Sequence, residues 1–483
     1  MTSRPNILLL CTDQQRFDAL GAYGNDEIMT PNLDRLAAQG ALFNQCYVQN
    51  PVCAPSRASL MTARYVHSHG LWANGVSLPS TERMFTRDLA DAGYDCGLAG
   101  KLHLAACIDD RTEQRHDDGF RIFRWAHDPG HASPGNQYHR SLEERFPSLY
   151  SAAMDPGSPV TFGDLPTEAH FTRWVAEETI GYLRTGRDAA RPFFFVANFF
   201  DPHHPFGAPQ EYLNRYDAGA LKAPIGSAED LAGKPAIYAE ASRRSYAGSE
   251  KGFVEYTADE ILAAKAAYYA MVTFVDDEIG RILDVLDEQE LTDNTIVVFT
   301  SDHGEMLGDH QLMLKGPMMF DCAVRVPLVI RWPGVIEPGS RPEELVQWID
   351  LAPTFMDAAG LPPMGRAQGQ SLLPLIAGQI AADGADFRDW ALSEHRNSSH
   401  PYEPGVYTTM LRHDRWKVVV HHGAPVTSRD RTGELYDLVD DPDELTNLWD
   451  DPQHTPLRLA MQEKLLDVLV ATEDRSPPRE GNW

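Results

Sequence analysis

Four short apolar runs, far apart in the chain, each end in a cluster of ionisable or amide side chains. Residues 7–11 enter Thr12-Asp13-Gln14-Gln15, and residues 94–99 enter Gly100-Lys101-Leu102-His103. Residues 193–199 enter Asp201-Pro202-His203-His204-Pro205, and residues 295–300 enter Ser301-Asp302-His303-Gly304. Apolar runs of this length without polar alternation read as strands buried on both faces, as in a parallel sheet. In open α/β sheets ligands bind beyond the carboxyl ends of the strands. Four polar strand ends therefore predict one site along a single edge of one sheet.

The segments between these runs supply helices. Thr30-Pro31 opens one, with Thr as cap, Pro at the first position, and Leu33, Leu36 and Ala37 on one face. Ala258–Glu288 predicts a long one, with Ile261, Tyr268, Val272, Val275, Ile279, Ile282, Val285 and Leu286 at helical spacing. Residues 326–331, closed by Trp332-Pro333-Gly334, read as a fifth strand. The alternation predicts an α/β fold, a large and mostly parallel sheet sandwiched by helices. Residues of about 105–165, rich in Pro, Gly and charge, read as loop. After about residue 385 the texture changes: 390–393, 407–412, 416–421 and 434–438 read as short strands with no long helices between them. This predicts a catalytic α/β domain over 1–380 and a C-terminal α+β subdomain with a smaller antiparallel sheet over 381–483.

The 483 residues carry a formal net charge of −28. Such a surface repels nucleic acid and anionic membranes, so neither is expected as a partner. It also repels an anionic substrate, so a site for one must gather its own cations. No apolar run approaches the roughly 18 residues needed to cross a bilayer. The run at 7–11 is too short for the core of a secretory signal, and the reading is a cytoplasmic, unanchored protein. Six scattered cysteines, Cys11, Cys46, Cys53, Cys96, Cys107 and Cys322, do not make a disulfide framework. All but Cys53 read as small buried hydrophobes.

Cys53 stands in Cys53-Ala54-Pro55-Ser56-Arg57. Pro55 and Ser56 suit a helix N-terminus, which places Cys53 where the helix's partial positive charge favours an anion. The plainer alternative is a helix start with a buried cysteine. With this pentapeptide the chain resembles the sulfatases of the alkaline-phosphatase superfamily, in which Cys-x-Pro-Ser-Arg marks a cysteine oxidised to formylglycine. Residues 6–14, 47–70, 100–103, 202–203, 301–304, 315–333 and 434–447 are similar to family segments, in family order. Residues of about 105–165 and 215–255 carry no such signature.

The resemblance implies hydrolysis of a sulfate ester, arylsulfatase-like, by a metal-bound formylglycine derived from Cys53. The aldehyde hydrates to a geminal diol; one hydroxyl, deprotonated beside a divalent cation, attacks sulfur and displaces the alcohol. Loss of the second hydroxyl's proton then re-forms the carbonyl and releases sulfate. The implied metal positions are Asp13, Gln14, Cys53, Asp302 and His303. Calcium is usual in the family, while Gln14 in place of a second Asp, and nitrogen at His303, leave manganese or magnesium open. Arg57 is implied to hold the diol, Lys101 to neutralise sulfate oxygens, and His103 to take the second proton. His203, in preference to His204, is implied to protonate the leaving oxygen, and Lys315 to touch both it and the sulfate.

Taken singly, each of these residues has a plainer reading as a strand-end cap, a solvated lysine or a structural histidine. The weight lies in their joint occurrence. The implied partners are a small anionic ester and a formylglycine-generating enzyme, with a homo-oligomer left open. A rival reading keeps the same site and makes the substrate a phosphonate monoester or phosphodiester. A non-catalytic binding protein on the same scaffold would show gaps among these residues, and every expected type is present.

Overall fold

Alternate residues of the central strands feed opposite hydrophobic layers. Ile7, Leu9 and Cys11 pack with Phe194, Val196, Ile296 and Val298 on one face. Leu8 and Leu10 pack with Phe193, Phe195, Ala197, Val297 and Phe299 on the other. A strand that must be apolar at every position can only be central and covered on both faces. The computed structural model describes residues 4–474 apart from 109, 156, 159, 379–386 and 424–431.

Seven described strands form the main sheet: β1 (Asn6–Thr12), β2 (Ala41–Leu42), β3 (Asp95–Gly100), β4 (Ile122–Trp125), β5 (Phe193–Asn198), β6 (Thr295–Ser301) and β7 (Leu328–Arg331). Their order across the sheet is β2-β7-β6-β1-β5-β3-β4. β1 lies parallel to both β5 and β6, and β3 lies parallel to β5 and β4. Only β7 runs against its neighbours β6 and β2. The chain between β6 and β7 stays at the edge where β6 ends, with only a 3-10 turn at Asp309–Gln311 and the short helix Asp321–Val324. It re-enters from that edge, so its direction must reverse.

One layer of helices includes α1 (Pro31–Ala38), and α2 (Cys53–Thr62) lies on the opposite face. With α1 pack α3 (Phe171–Gly181) and α4 (Ala258–Glu288), which contribute Val175, Ile180, Ile279 and Ile282 to that layer. α4 starts at a capping box: Thr257 Oγ1 accepts from the Glu260 backbone N–H at 3.2 Å, and Glu260 Oε2 accepts from that of Thr257 at 2.7 Å. The stretch expected as loop holds strand β4 and two helices, Gln137–Arg145 and Pro147–Met154. β4 is an edge strand with only Trp125 buried, so it lacks the apolar run that marks the central strands.

The C-terminal sheet is antiparallel, in the order β8 (Trp390–Arg396), β9 (Tyr407–His413), β10 (Trp416–His421) and β11 (Thr432–Asp437). Against it packs a 17-residue helix, α5 (Thr455–Ala471), through Met461, Leu465 and Val468. The sequence reading makes this subdomain α+β but places no helix at 455–471. Leu459, Leu466 and Val470 on its exposed face blur the helical period.

Lys417 of β10 is wholly buried and ties this sheet to the main body. Its Nζ donates to Asp321 Oδ1 at 2.5 Å, Glu444 Oε1 at 2.7 Å and the Met319 carbonyl at 3.1 Å. The boundary expected at residue 381 lies outside the described residues. Among the described residues no helix is long and apolar enough to cross a membrane.

Candidate active site

The parallel register brings the polar strand ends together. Thr12 pairs with Ser301, and Cys11 and Gly100 both pair with Asn198. The residues that follow therefore leave the sheet at one level. Gly100 turns the chain into Lys101 with φ +100, and a Cβ there would stand 1.9 Å from the Asn198 carbonyl oxygen. Only glycine fits.

Gln14 and His103 also take positive φ, 70 and 63, a conformation costing roughly 1–3 kcal/mol for such residues. Each is pinned: the Gln14 backbone N–H donates to Asp302 Oδ1 and that of His103 to Glu113 Oε2, both at 3.0 Å.

Helix α2 delivers Cys53. Asn50 Oδ1 accepts from the Val52 N–H at 2.9 Å, and Asn74 Oδ1 from the Ala54 N–H at 3.1 Å. Ser56 Oγ donates to the Asp302 carbonyl at 2.6 Å, joining the helix start to the end of β6. Every residue of this helix is buried, and Cys53 is 1% exposed. Its Sγ lies 3.0 Å from His303 Nε2, 3.0 Å from Lys315 Nζ and 3.5 Å from Asp13 Oδ1. Burial, then the Asp13 carboxylate, push the thiol above its ordinary pKa. The unmodified side chain is thus a protonated, weak nucleophile.

Three cations surround the two carboxylates. Arg57 Nε donates to Asp302 Oδ2 at 2.8 Å, with Nη2 3.4 Å from Asp13 Oδ2. Lys101 Nζ donates to Asp13 Oδ2 at 2.6 Å. Burial opposes ionisation of Asp13, but Lys101 and its cationic neighbours hold the carboxyl well below its usual range. Lys315 Nζ donates to Gln14 Oε1 at 2.6 Å. Gln14 Nε2 is taken up by Glu305 Oε2 and by His204 Nδ1, so its carbonyl oxygen faces the cluster.

One atom from each of Asp13, Cys53, Asp302 and His303 lies within 4.8 Å of the others. His303 Nδ1 donates to the Gly304 carbonyl at 2.9 Å, which fixes the tautomer and leaves Nε2 with a lone pair. That lone pair stands 3.6 Å from Asp13 Oδ1 and 3.6 Å from Asp302 Oδ1. Burial brings the imidazole down to about 4, so it is neutral. Two carboxylate oxygens and an imidazole lone pair converging beside position 53 fit a divalent cation, with Gln14 Oε1 as a further oxygen.

Above the cluster opens a cavity of about 590 Å³ lined by Cys53, Lys101, His103, His203, His204 and Lys315. Every residue singled out in the sequence thus lies in the cluster or at the wall of this cavity. Burial is the main cause that lowers the pKa of His103 and of His203, and both are neutral. His310 lies apart, stacked on Phe320 and hydrogen-bonded to Asp230. The sequence reading missed Asn74, Glu113, Glu305 and the wall residues His127, Tyr246, Glu250 and His400. His127, Tyr246 and Glu250 come from the two segments without signatures. Glu305, two residues beyond His303, was within reach of the strand-end argument.

A covered α/β sheet that gathers carboxylates, imidazoles and cations at one edge defines a class: hydrolases of anionic esters. The chain belongs to the sulfatase family, within the alkaline-phosphatase superfamily. The family model described as Sulfatase matches residues 5–361. A second, described as N-sulphoglucosamine sulphohydrolase, C-terminal, matches residues 308–471. The chain is 32% identical to an arylsulfatase of Clostridium perfringens, over 92% of this chain and 90% of that one. It is 30% identical to a multifunctional alkaline phosphatase superfamily protein of Trinickia caryophylli, over 98% and 97%. Among solved structures, the phosphonate monoester hydrolase of Agrobacterium radiobacter superposes with a TM-score of 0.83 at 28% identity, covering 98% of this chain and 97% of that one.

Proposed function

We propose that this protein hydrolyses sulfate esters, with Cys53 oxidised to formylglycine as the nucleophile. The observation that carries the reading is the position of Cys53 Sγ, buried at a helix start between His303, Lys315 and Asp13. Oxidation replaces the thiol by an aldehyde, and Sγ marks where the oxygens of its hydrate stand. Asp13, Gln14, Asp302 and His303 would hold a divalent cation, whose positive charge would lower the pKa of a neighbouring hydroxyl. The same donors suit calcium, manganese or magnesium; the nitrogen of His303 favours manganese over calcium.

The chain's own groups do the rest. Arg57 and Lys101 are already held against the carboxylates, so their charge is fixed before an anion arrives. Lys315 reaches the position 53 side chain and meets both the central group and the leaving oxygen. His103, neutral, accepts the proton of the second hydroxyl. His203 Nδ1 donates to the His204 carbonyl at 2.6 Å, so Nε2 holds the lone pair that takes up a proton in the substrate complex and passes it to the leaving oxygen. Lys315 is among the groups that depress His203, and an anionic substrate offsets that field and raises its proton affinity. Replacing His203 by alanine is expected to slow poor leaving groups by about 100-fold and nitrophenol esters only a few-fold, read from rates along a leaving-group series. An equal loss throughout would remove the acid role.

A second reading, phosphonate monoester or phosphodiester hydrolysis, is favoured by the two neutral donors, Gln14 and His303, and by the likeness to the Agrobacterium enzyme. Parallel kcat/KM values on 4-nitrophenyl sulfate, a phenyl phosphonate ester and a phosphodiester decide between them. A preference for either phosphorus ester would overturn the first. Intact-mass measurement of protein made with a competent maturation enzyme should show a loss of about 18 Da relative to the thiol form. Thiol alone would rule out both readings.

A further inference from the structure

Tyr246 rises from the segment 215–255 onto the wall of the active-site cavity. It sits at the turn of a small hairpin, Arg244–Ser245 paired with Glu250–Lys251. Tyr246 and Ala247 both take positive φ, 48 and 51. Two such residues in succession are strained and persist where the surroundings over-determine them. The hairpin is tied down by Ser245 Oγ, which donates to the Met313 carbonyl at 3.3 Å.

Tyr246 is 6% exposed, yet its hydroxyl has no hydrogen-bond partner among the described residues. A buried phenol in this state is costly unless something in the cavity accepts its hydrogen bond. The ring belongs to a row. Phe200 lies 4.7 Å from His203, His203 4.1 Å from His204, His204 5.4 Å from Tyr246, and Tyr246 5.5 Å from His400. His204 touches Gln14 at the cluster floor, and His400 is exposed. Tyr246 therefore stands one ring beyond His204 and the charged floor it touches.

A second wall group points to the same chemistry. His103 Nδ1 is also buried with no hydrogen-bond partner among the described residues, its residue 7% exposed. Glu250 and Asp128 also line the cavity, and a carboxylate is an acceptor for hydroxyl groups. These acids, with the net charge of −28, oppose an alcohol bearing further anionic groups.

We propose that Tyr246 is a substrate-contacting residue that donates a hydrogen bond to an oxygen beside the ester carbon, and that the alcohol half is a neutral, hydroxylated ring, a sugar, lying along the row of aromatic side chains. This rests on the sulfate-ester reading. Flat sugar faces stack on aromatic rings, and the acceptor oxygen separates a sugar from a bare phenol.

The test compares wild type and Tyr246→Phe on a neutral hexose 6-sulfate and on 4-nitrophenyl sulfate. Wild type is expected to hydrolyse both. The variant should lose about tenfold or more in kcat/KM on the hexose sulfate and stay within about threefold on the aryl ester. Its melting temperature should be unchanged or higher, because the hydroxyl removed has no partner; a structural role would lower it. Parallel loss on both esters, retention on both, or a wild type that cleaves the aryl but not the hexose sulfate would overturn the proposal. A wild type active on phenyl phosphonate and on neither sulfate would instead overturn the underlying sulfate-ester reading.

Discussion

Cys53→Ser is expected to abolish turnover, by about 10⁵-fold or more, while the protein melts within a few degrees of wild type. The two side chains are nearly the same size, and position 53 already sits among polar partners, so packing changes little. The chemistry changes completely. A serine has one hydroxyl; it can accept the transferred group once but has no second hydroxyl whose deprotonation expels it. Steady-state rates and a thermal melt on the same preparation check both halves. Activity within tenfold of wild type would take position 53 out of the reaction.

Asp302→Asn is expected to be nearly as severe, for a different reason. Asp302 Oδ1 faces the cation position and Oδ2 holds Arg57. The amide removes one ligand charge and the ionic partner of a buried guanidinium. Cation content, measured by elemental analysis after desalting, should fall from one per chain to near none. Turnover should drop by about 10³-fold or more. Stability should fall too, because breaking a buried ion pair by removing one partner costs about 3–5 kcal/mol. A variant that keeps its cation and its melting temperature would contradict the ligand assignment.

Legibility in the sequence followed burial. β1, β3, β5 and β6 are apolar at nearly every position because both faces are covered, and their ends were legible to within a residue or two. The polar residues at those ends were legible for the same reason: an ionisable group directly after such a run has few places to go but the sheet edge. β4 escaped because an edge strand needs no apolar run, and α5 because its outer face carries leucine and valine. The direction of β7 is set by where the chain must re-enter the sheet, which no local pattern encodes. Tyr246, His127 and His400 reach the cavity from irregular segments, where neither period nor strand end marks a side chain for the site.

Lys417 gives the C-terminal sheet a part in the chemistry it never touches. Its ammonium is the counter-charge of Asp321 and Glu444, and it caps the Met319 carbonyl, four residues beyond Lys315. Cutting the chain before β8 would leave Asp321 with only Arg325 and Tyr47 as side-chain partners and unclamp the segment that presents Lys315. The shorter protein would not be a smaller version of the enzyme, because the piece removed is the backstop against which one of its charged fingers rests.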